Sequence, residues 1–233
     1  MKKRQSFGQH FLKSNTIANQ IVSGAKITKN DVVLEIGTGH GILLPYICKK
    51  ANKVISIEID KNLHNSAKSK FHDEKNLILE YGDGFKSNHN FTIFISNLPY
   101  SKSRKSIEWL LQKNFSRAVI MVQKEFADKL LSSKEHTAIS ILTNYGFKTK
   151  IMMNVKKSNF YPIPKVDSVV LFLTQKKIVP KTVILTVNRM FSYRRKTIQN
   201  VLKQFGINST SKERLDDLSG DEIIKIAKKI IRD

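Results

Sequence analysis

Short apolar runs alternate with longer amphipathic stretches through most of the chain. Val32-Val33-Leu34-Glu35-Ile36, Lys53 to Ile57, Asn76 to Glu80, Phe91 to Ile95 and Ala118 to Gln123 read as strands. Between them, helical spacing runs over Ser14 to Ala25, onward from Ile42, and over Asn62 to Phe71, Lys105 to Lys113, Glu125 to Leu131 and Thr137 to Tyr145. Ser14 or Asn15 can cap the first helix. From Lys148 the rhythm changes. Residues 148 to 155 and 166 to 173 read as two closely spaced strands, an antiparallel edge on an otherwise parallel sheet. The loop between them, Ser158 to Lys165, is stiff with prolines and carries aromatics. After a polar linker, Gln175 to Lys181, the pattern is helical: Val183 to Tyr193, a basic helix from Arg194 to Phe205, and Asp221 to Ile231. The pattern predicts an α/β domain over 1–174 and a small helical domain with a basic face over 175–233.

Charge narrows the function. The 233 residues hold 41 Lys and Arg against 19 Asp and Glu, a formal net charge of +22. A solvated basic surface is the plain alternative. The basic residues cluster, however, at Lys2-Lys3-Arg4, Lys102 to Lys105, Lys156-Lys157, Lys176-Lys177 and Arg194-Arg195-Lys196, which points to a polyanionic partner. No apolar run reaches the ~20 residues that span a bilayer, so a membrane is not expected. The N-terminus is basic without a following apolar core, unlike a secretory signal. The single cysteine, Cys48, excludes an intramolecular disulfide and reads as a core thiol in a reducing compartment. No Cys/His/Asp cluster has ligand spacing, and no metal is expected.

The candidate chemistry sits where strands end. The first strand runs into Gly37-Thr38-Gly39-His40-Gly41 and then a helix, the opening of a nucleotide-binding βαβ unit. The second strand ends in Glu58-Ile59-Asp60, and an acidic residue there is positioned to accept ribose hydroxyls. Position 42 is Ile rather than a third glycine, which favours S-adenosylmethionine over a dinucleotide and leaves the dinucleotide possible. Asp83, between Gly82 and Gly84, is either an acceptor for an adenine amino group or a turn aspartate. The strand from Phe91 stops at Asn97-Leu98-Pro99-Tyr100. Pro99 restrains Leu98, so the Asn97 amide and nearby carbonyls are held at a sheet mouth beside a flat aromatic, a grip for a nucleobase.

These pieces together resemble the rRNA adenine N6-dimethyltransferases, the KsgA and Erm family. The matching stretches are Phe7-Gly8-Gln9-His10-Phe11-Leu12, Glu35 to Gly39, Ile57 to Asp60, Asn97 to Tyr100, Gln123-Lys124-Glu125, Phe160 with Pro164 to Ser168, and Arg194 to Ile198, in the family's order over nearly the whole chain. Asn-Leu-Pro-Tyr and the Arg-Arg-Lys-Thr-Ile stretch look like the small-subunit branch. The resemblance implies a class I, Rossmann-like methyltransferase that binds S-adenosylmethionine. It implies Gly37, Gly39, Glu58, Asp83 and Asn97 on the cofactor, with His10 and Leu12 in an arm over its methionine end. His10 stands where the family has Asn, and Thr38 where many members have proline. A target adenine would stack between Tyr100 and Phe160, with the Asn97 oxygen and the Leu98 carbonyl accepting from N6; Phe160 as a core aromatic is the alternative. The expected activity is N6-dimethylation of small-subunit rRNA near its 3′ end, coupled to subunit assembly, by a cytoplasmic monomer. The competing readings are an Erm-like enzyme acting on large-subunit rRNA, a non-catalytic RNA-binding or assembly factor, and a DNA adenine methyltransferase.

Overall fold

The computed structural model describes residues 9–132 and 137–232. The Phe7-Gly8 part of the arm motif and the Lys2-Lys3-Arg4 cluster lie outside the described residues. In chain order the elements are β1 (Phe11–Leu12), α1 (Asn15–Gly24), β2 (Val32–Ile36), α2 (Leu44–Lys50), β3 (Lys53–Glu58), α3 (Lys61–Lys70), β4 (Leu77–Tyr81), β5 (Ile93–Ser96), α4 (Ser103–Leu110), β6 (Arg117–Gln123), α5 (Lys124–Leu131), α6 (Ala138–Gly146), β7 (Phe147–Val155), β8 (Phe160–Tyr161), β9 (Ser168–Gln175), α7 (Lys181–Phe191), α8 (Ile198–Lys203) and α9 (Gly220–Arg232).

The main sheet has seven strands in the order β4-β3-β2-β5-β6-β9-β7. Strands β4 through β6 pair in parallel, and β9 runs antiparallel to β6 along its full length, Arg117 opposite Thr174 to Gln123 opposite Ser168. The antiparallel edge expected from 148–155 and 166–173 is present as β9 and β7, with β9 on the inner side against β6 and β7 outermost. A separate two-stranded ribbon joins β1 to β8. The fold is α/β and Rossmann-like, as expected.

Local chemistry explains the element ends. Ser14 caps α1 by accepting from the Ile17 amide, and Asp60 caps α3 by accepting from Asn62 and Leu63. The helix expected from Ile42 begins at Leu44, with Pro45 in its first turn. Behind the sheet, Ala18, Ile21 and Val22 of α1 and Ile47 and Cys48 of α2 are buried in one core with Val33, Val54, Ile93 and Val119. Burial pushes the Cys48 thiol up to about 12, with Glu74 and Glu35 adding to it, so it stays a neutral core group.

Two compact units result. One comprises the described residues up to 106 with 114–127 and 149–175. The other comprises 107–113, the described part of 128–148, and 176–232. The single sequence cut at 174/175 thus becomes an interleaved division. The reason is backbone bonding: Val179 donates to the Leu111 carbonyl (2.7 Å) and Lys176 to the Gly146 carbonyl (2.8 Å), tying earlier segments to the tail. In this second unit α6, α7 and α9 pack together. The basic helix expected from Arg194 starts only at Ile198. Arg194 to Lys196 form turns, with Arg194 ion-paired to Asp216 (3.2 Å) and Lys196 over the Tyr193 ring.

Candidate active site

The order of the parallel strands reverses between β2 and β5, and ligands of open α/β sheets sit at the carboxyl ends flanking such a point. A pocket of about 170 Å³ opens there. Its floor is the turn after β2. The Gly37 amide donates to the Ile57 carbonyl (2.8 Å), which bends the chain over β3. Gly37 has φ +83°, and a Cβ there would lie 3.1 Å from the Leu98 side chain; Gly39 has φ +57°, with the Phe11 ring 3.3 Å from where its Cβ would be. Any side chain at either position would be strained and would fill the space a ligand needs.

Glu58 ends β3 at the pocket wall, 2% exposed. Its Oε2 accepts from the Gly39 amide (2.8 Å) and its Oε1 from the Asp60 amide (2.9 Å). Each oxygen keeps a lone pair for a ligand hydroxyl. Asp83 follows β4. Its Oδ1 accepts from the Phe85 amide (3.0 Å), the turn role, while its Oδ2 lies 3.5 Å from Lys105 Nζ. The turn reading of Asp83 is visible in the first bond, and the carboxylate also lines the pocket. Lys105 also lies over the Phe85 ring at 4.5 Å.

Asn97 and Leu98 line the pocket at the end of β5, held there because Ser96 Oγ donates to the Ile36 carbonyl (2.7 Å). Among the described residues the Asn97 amide has no hydrogen-bond partner. Tyr100 is half-buried just beyond. Its hydroxyl bonds Ser168 Oγ at 2.7 Å, and the His10 ring stacks on it at 5.6 Å between centroids. Burial raises the Tyr100 pKa, opposed by the Ser168 bond, so its ring and hydroxyl act as neutral groups. His10 and Leu12 line the pocket, and His10 Nδ1 donates to the Pro162 carbonyl (2.7 Å).

Phe160 does not join this group. It is fully buried in the core beside Leu12, its partner in the β1–β8 register, and is absent from the pocket wall. Successive residues of a strand face opposite sides, so burying Phe160 turns Tyr161 outward, where it is 70% exposed.

Ile59, Phe85 and Lys105 line the wall without a pocket role in the sequence reading. Ile59 is a 55% exposed apolar side chain, Phe85 sits two residues after Asp83, and Lys105, expected only as part of a basic cluster, reaches Asp83 by folding. Glu35 is the fourth omission. It sat within the quoted glycine-turn motif, and an acid in an apolar strand was the available signal. It is 1% exposed and lines the pocket. Ser56 Oγ donates to its Oε2 (2.5 Å), and Ser56 in turn bonds Thr38 Oγ1 (2.6 Å). Burial pushes its pKa up to about 8, the Ser56 bond opposes this, and Glu58 adds to it.

The glycine cradle, the apolar wall and carboxylates at two adjacent strand ends fit S-adenosylmethionine, whose ribose diol and adenine amino group both donate. Among the described residues no cluster could hold a metal, and no helix is long and apolar enough to cross a membrane.

Comparison with known proteins agrees with this geometry. The family model described as ribosomal RNA adenine dimethylase matches residues 1–229. A ribosomal RNA small subunit methyltransferase A from Clostridium botulinum is 33% identical, over 94% of this chain and 86% of the relative. The crystal structure of a dimethyladenosine transferase from Plasmodium falciparum superposes with a TM-score of 0.80 at 27% identity, covering 96% of this chain and 98% of that one. The 23S rRNA methyltransferase ErmE superposes at 0.71 with 20% identity, over 95% and 99% of the two chains, which shows a shared fold.

Proposed function

The chain belongs to the ribosomal RNA adenine dimethylase family, and from that premise we propose that it transfers methyl groups from S-adenosylmethionine to N6 of adenosines in small-subunit rRNA, near its 3′ end, as a step of subunit assembly. It works as a monomer in the cytoplasm. The observation that carries this reading is the Asn97 side-chain amide, without a hydrogen-bond partner among the described residues, at the rim of a pocket suited to the methyl donor. The relatives named for the small subunit favour that RNA over the large-subunit alternative.

S-adenosylmethionine supplies an electrophilic methyl on a sulfonium. The chain must do the rest. Adenine N6 is a poor nucleophile because its lone pair is delocalised into the ring. The Asn97 side-chain oxygen and the Leu98 carbonyl accept from the two N6 hydrogens. That pulls nitrogen toward a tetrahedral shape, frees its lone pair, and would stabilise the positive charge that grows on it as the N–C bond forms and the methyl's bond to sulfur breaks, leaving a neutral thioether. The proton then leaves to water, because an alkylated ammonium-like nitrogen is acidic. Tyr100 supplies a face for the splayed base. Gly37 and Gly39 would let the donor lie close, Glu58 would hold its ribose, and Asp83 its adenine. His10 and Leu12 would cover the methionine end. Proximity of N6 to the methyl supplies much of the remaining acceleration. The helical unit with its basic residues docks on the RNA backbone, which makes binding fall steeply with salt.

The test is methyl transfer from labelled S-adenosylmethionine to purified small-subunit and large-subunit rRNA, followed by nucleoside digestion. Labelled N6,N6-dimethyladenosine from the small-subunit RNA is expected. Label confined to large-subunit RNA, or none at all, overturns the reading.

A further inference from the structure

The β1–β8 ribbon leaves a feature that methyl transfer does not use. Phe160 and Leu12 face the core, so Tyr161 and Phe11 share the opposite face of the ribbon. Phe11 is a wall of the pocket. Tyr161, one strand spacing away, is 70% exposed, followed by Ile163 at 60% and Val166 at 38%. An exposed aromatic and two exposed aliphatics in one short loop are unusual on a soluble surface unless something covers them. The loop is also bordered by exposed lysines, Lys156, Lys157 and Lys165.

We infer that Tyr161, with Pro162 and Ile163 behind it, is a stacking platform for a base of single-stranded RNA flanking the target adenosine. This rests on the proposed rRNA substrate and deepens it. An exposed aromatic and aliphatic stretch with exposed lysines before and after it in the chain matches the two halves of a nucleotide: a π-face and a phosphate. An acidic or purely apolar partner matches only one half.

The platform is held rigid before RNA arrives. Lys13 donates from its amide to the Asn159 carbonyl (2.8 Å), and His10 Nδ1 donates to the Pro162 carbonyl. On the far side Asp167 Oδ1 accepts from the Lys157 amide (2.8 Å). Little loop entropy is lost on binding, so stacking energy appears as affinity. The same His10 ring lies on Tyr100, so the face for the target base and the face for its neighbour are linked through one side chain.

The experiment uses the full chain with Tyr161→Ala, Tyr161→Leu and Tyr161→Trp. Binding of fluorescein-labelled oligoadenylate is followed by anisotropy, KM for small-subunit rRNA by methyl transfer, and S-adenosylmethionine affinity by calorimetry. Tyr161→Ala and Tyr161→Leu should weaken RNA binding and raise KM by about 5–100-fold, with cofactor affinity unchanged, while Tyr161→Trp stays near wild type. Wild-type RNA affinity in Tyr161→Ala, or equal rescue by Leu and Trp, overturns the platform. A wild-type protein that methylates no rRNA, yet binds oligoadenylate through Tyr161, would refute the proposed substrate and support the platform.

Discussion

Asp31 and Glu35 stand at opposite ends of β2, and the fold treats them oppositely. Asp31, just before the strand, is surrounded by donors. Its Oδ2 accepts from the Thr28 amide and hydroxyl (both 2.8 Å) and from Arg117 (3.0 Å), and its Oδ1 accepts from the Thr92 hydroxyl (2.8 Å). Burial raises its pKa, but the Thr28 amide, the Thr92 and Thr28 hydroxyls and the Arg117 guanidinium outweigh burial and lower it. Glu35, near the strand's other end, has burial, one serine hydroxyl and the nearby Glu58, and its pKa rises to about 8. The difference shows how one sheet divides its work. The Asp31 end is a closed polar network that joins β2, β5 and β6. The Glu35 end leaves polar groups short of partners, which costs stability and leaves room for a ligand.

That contrast breaks most visibly if the two ends are removed separately. Asn97→Ala takes a group from the open end and should lower methyl transfer by roughly 100–1,000-fold, with Tm within about 2 °C of wild type. A thermal scan showing a large loss of Tm would make Asn97 structural and merge the two ends. Arg117→Ala takes the partner from the closed end. Its Nε and NH2 also donate to the Ala25 and Lys26 carbonyls (2.8 Å each). Stability should fall by about 3 kcal/mol, with transfer per folded molecule unchanged. Because the Asp31 pKa is depressed on folding, its contribution is present above the unfolded pKa and lost as pH falls through the folded one. The Thr28 and Thr92 bonds lower the Asp31 pKa more than Arg117 does, so the acid limb of wild-type stability should flatten only slightly in Arg117→Ala; a limb abolished in that variant would make Arg117 the main cause. Glu58→Ala, back at the open end, should weaken S-adenosylmethionine by about 10–100-fold in calorimetry. Unchanged affinity would remove Glu58 from the cofactor.

The open end was the more legible of the two. Glycines after an apolar strand, an acid ending the next strand and Asn97 before Pro99 are local signals that one sequence carries. The closed end depends on Asp31, Thr92 and Arg117, which are far apart in the chain and have no motif spacing. The insertion of β9 between β6 and β7 was hidden for the same reason: apolar runs identify strands but not their neighbours. The helix predicted from Arg194 failed in another way. Arg, Lys and Gln favour helix locally, yet Thr197 bridges to Arg214 and Arg194 pairs with Asp216, and these distant contacts fix turns instead. Phe160 and Tyr161 were separable in principle, since strand alternation exposes only one of two consecutive aromatics. Which one faces the core follows from the pairing with Leu12, and that pairing is visible only in the fold.

The smallest effect, and the one that sharpens the comparison most, belongs to Glu35→Gln. The Glu35 pKa is raised on folding from 4.5 to about 8, so the unfolded chain loses this proton first. Between those values the folded state binds more protons, and stability declines as pH rises. Glutamine keeps the shape and can still accept from Ser56, but it carries no such proton. The variant should match wild type near pH 5 and unfold about 5 °C higher near pH 8. Thermal scans across that window read the difference directly. A wild-type decline that persists unchanged in Glu35→Gln would assign it to another group. The contrast along β2 would then rest on Asp31 alone, and the open end would owe its pocket-lining polar groups to Glu58, Asp83 and Asn97 rather than to a buried acid.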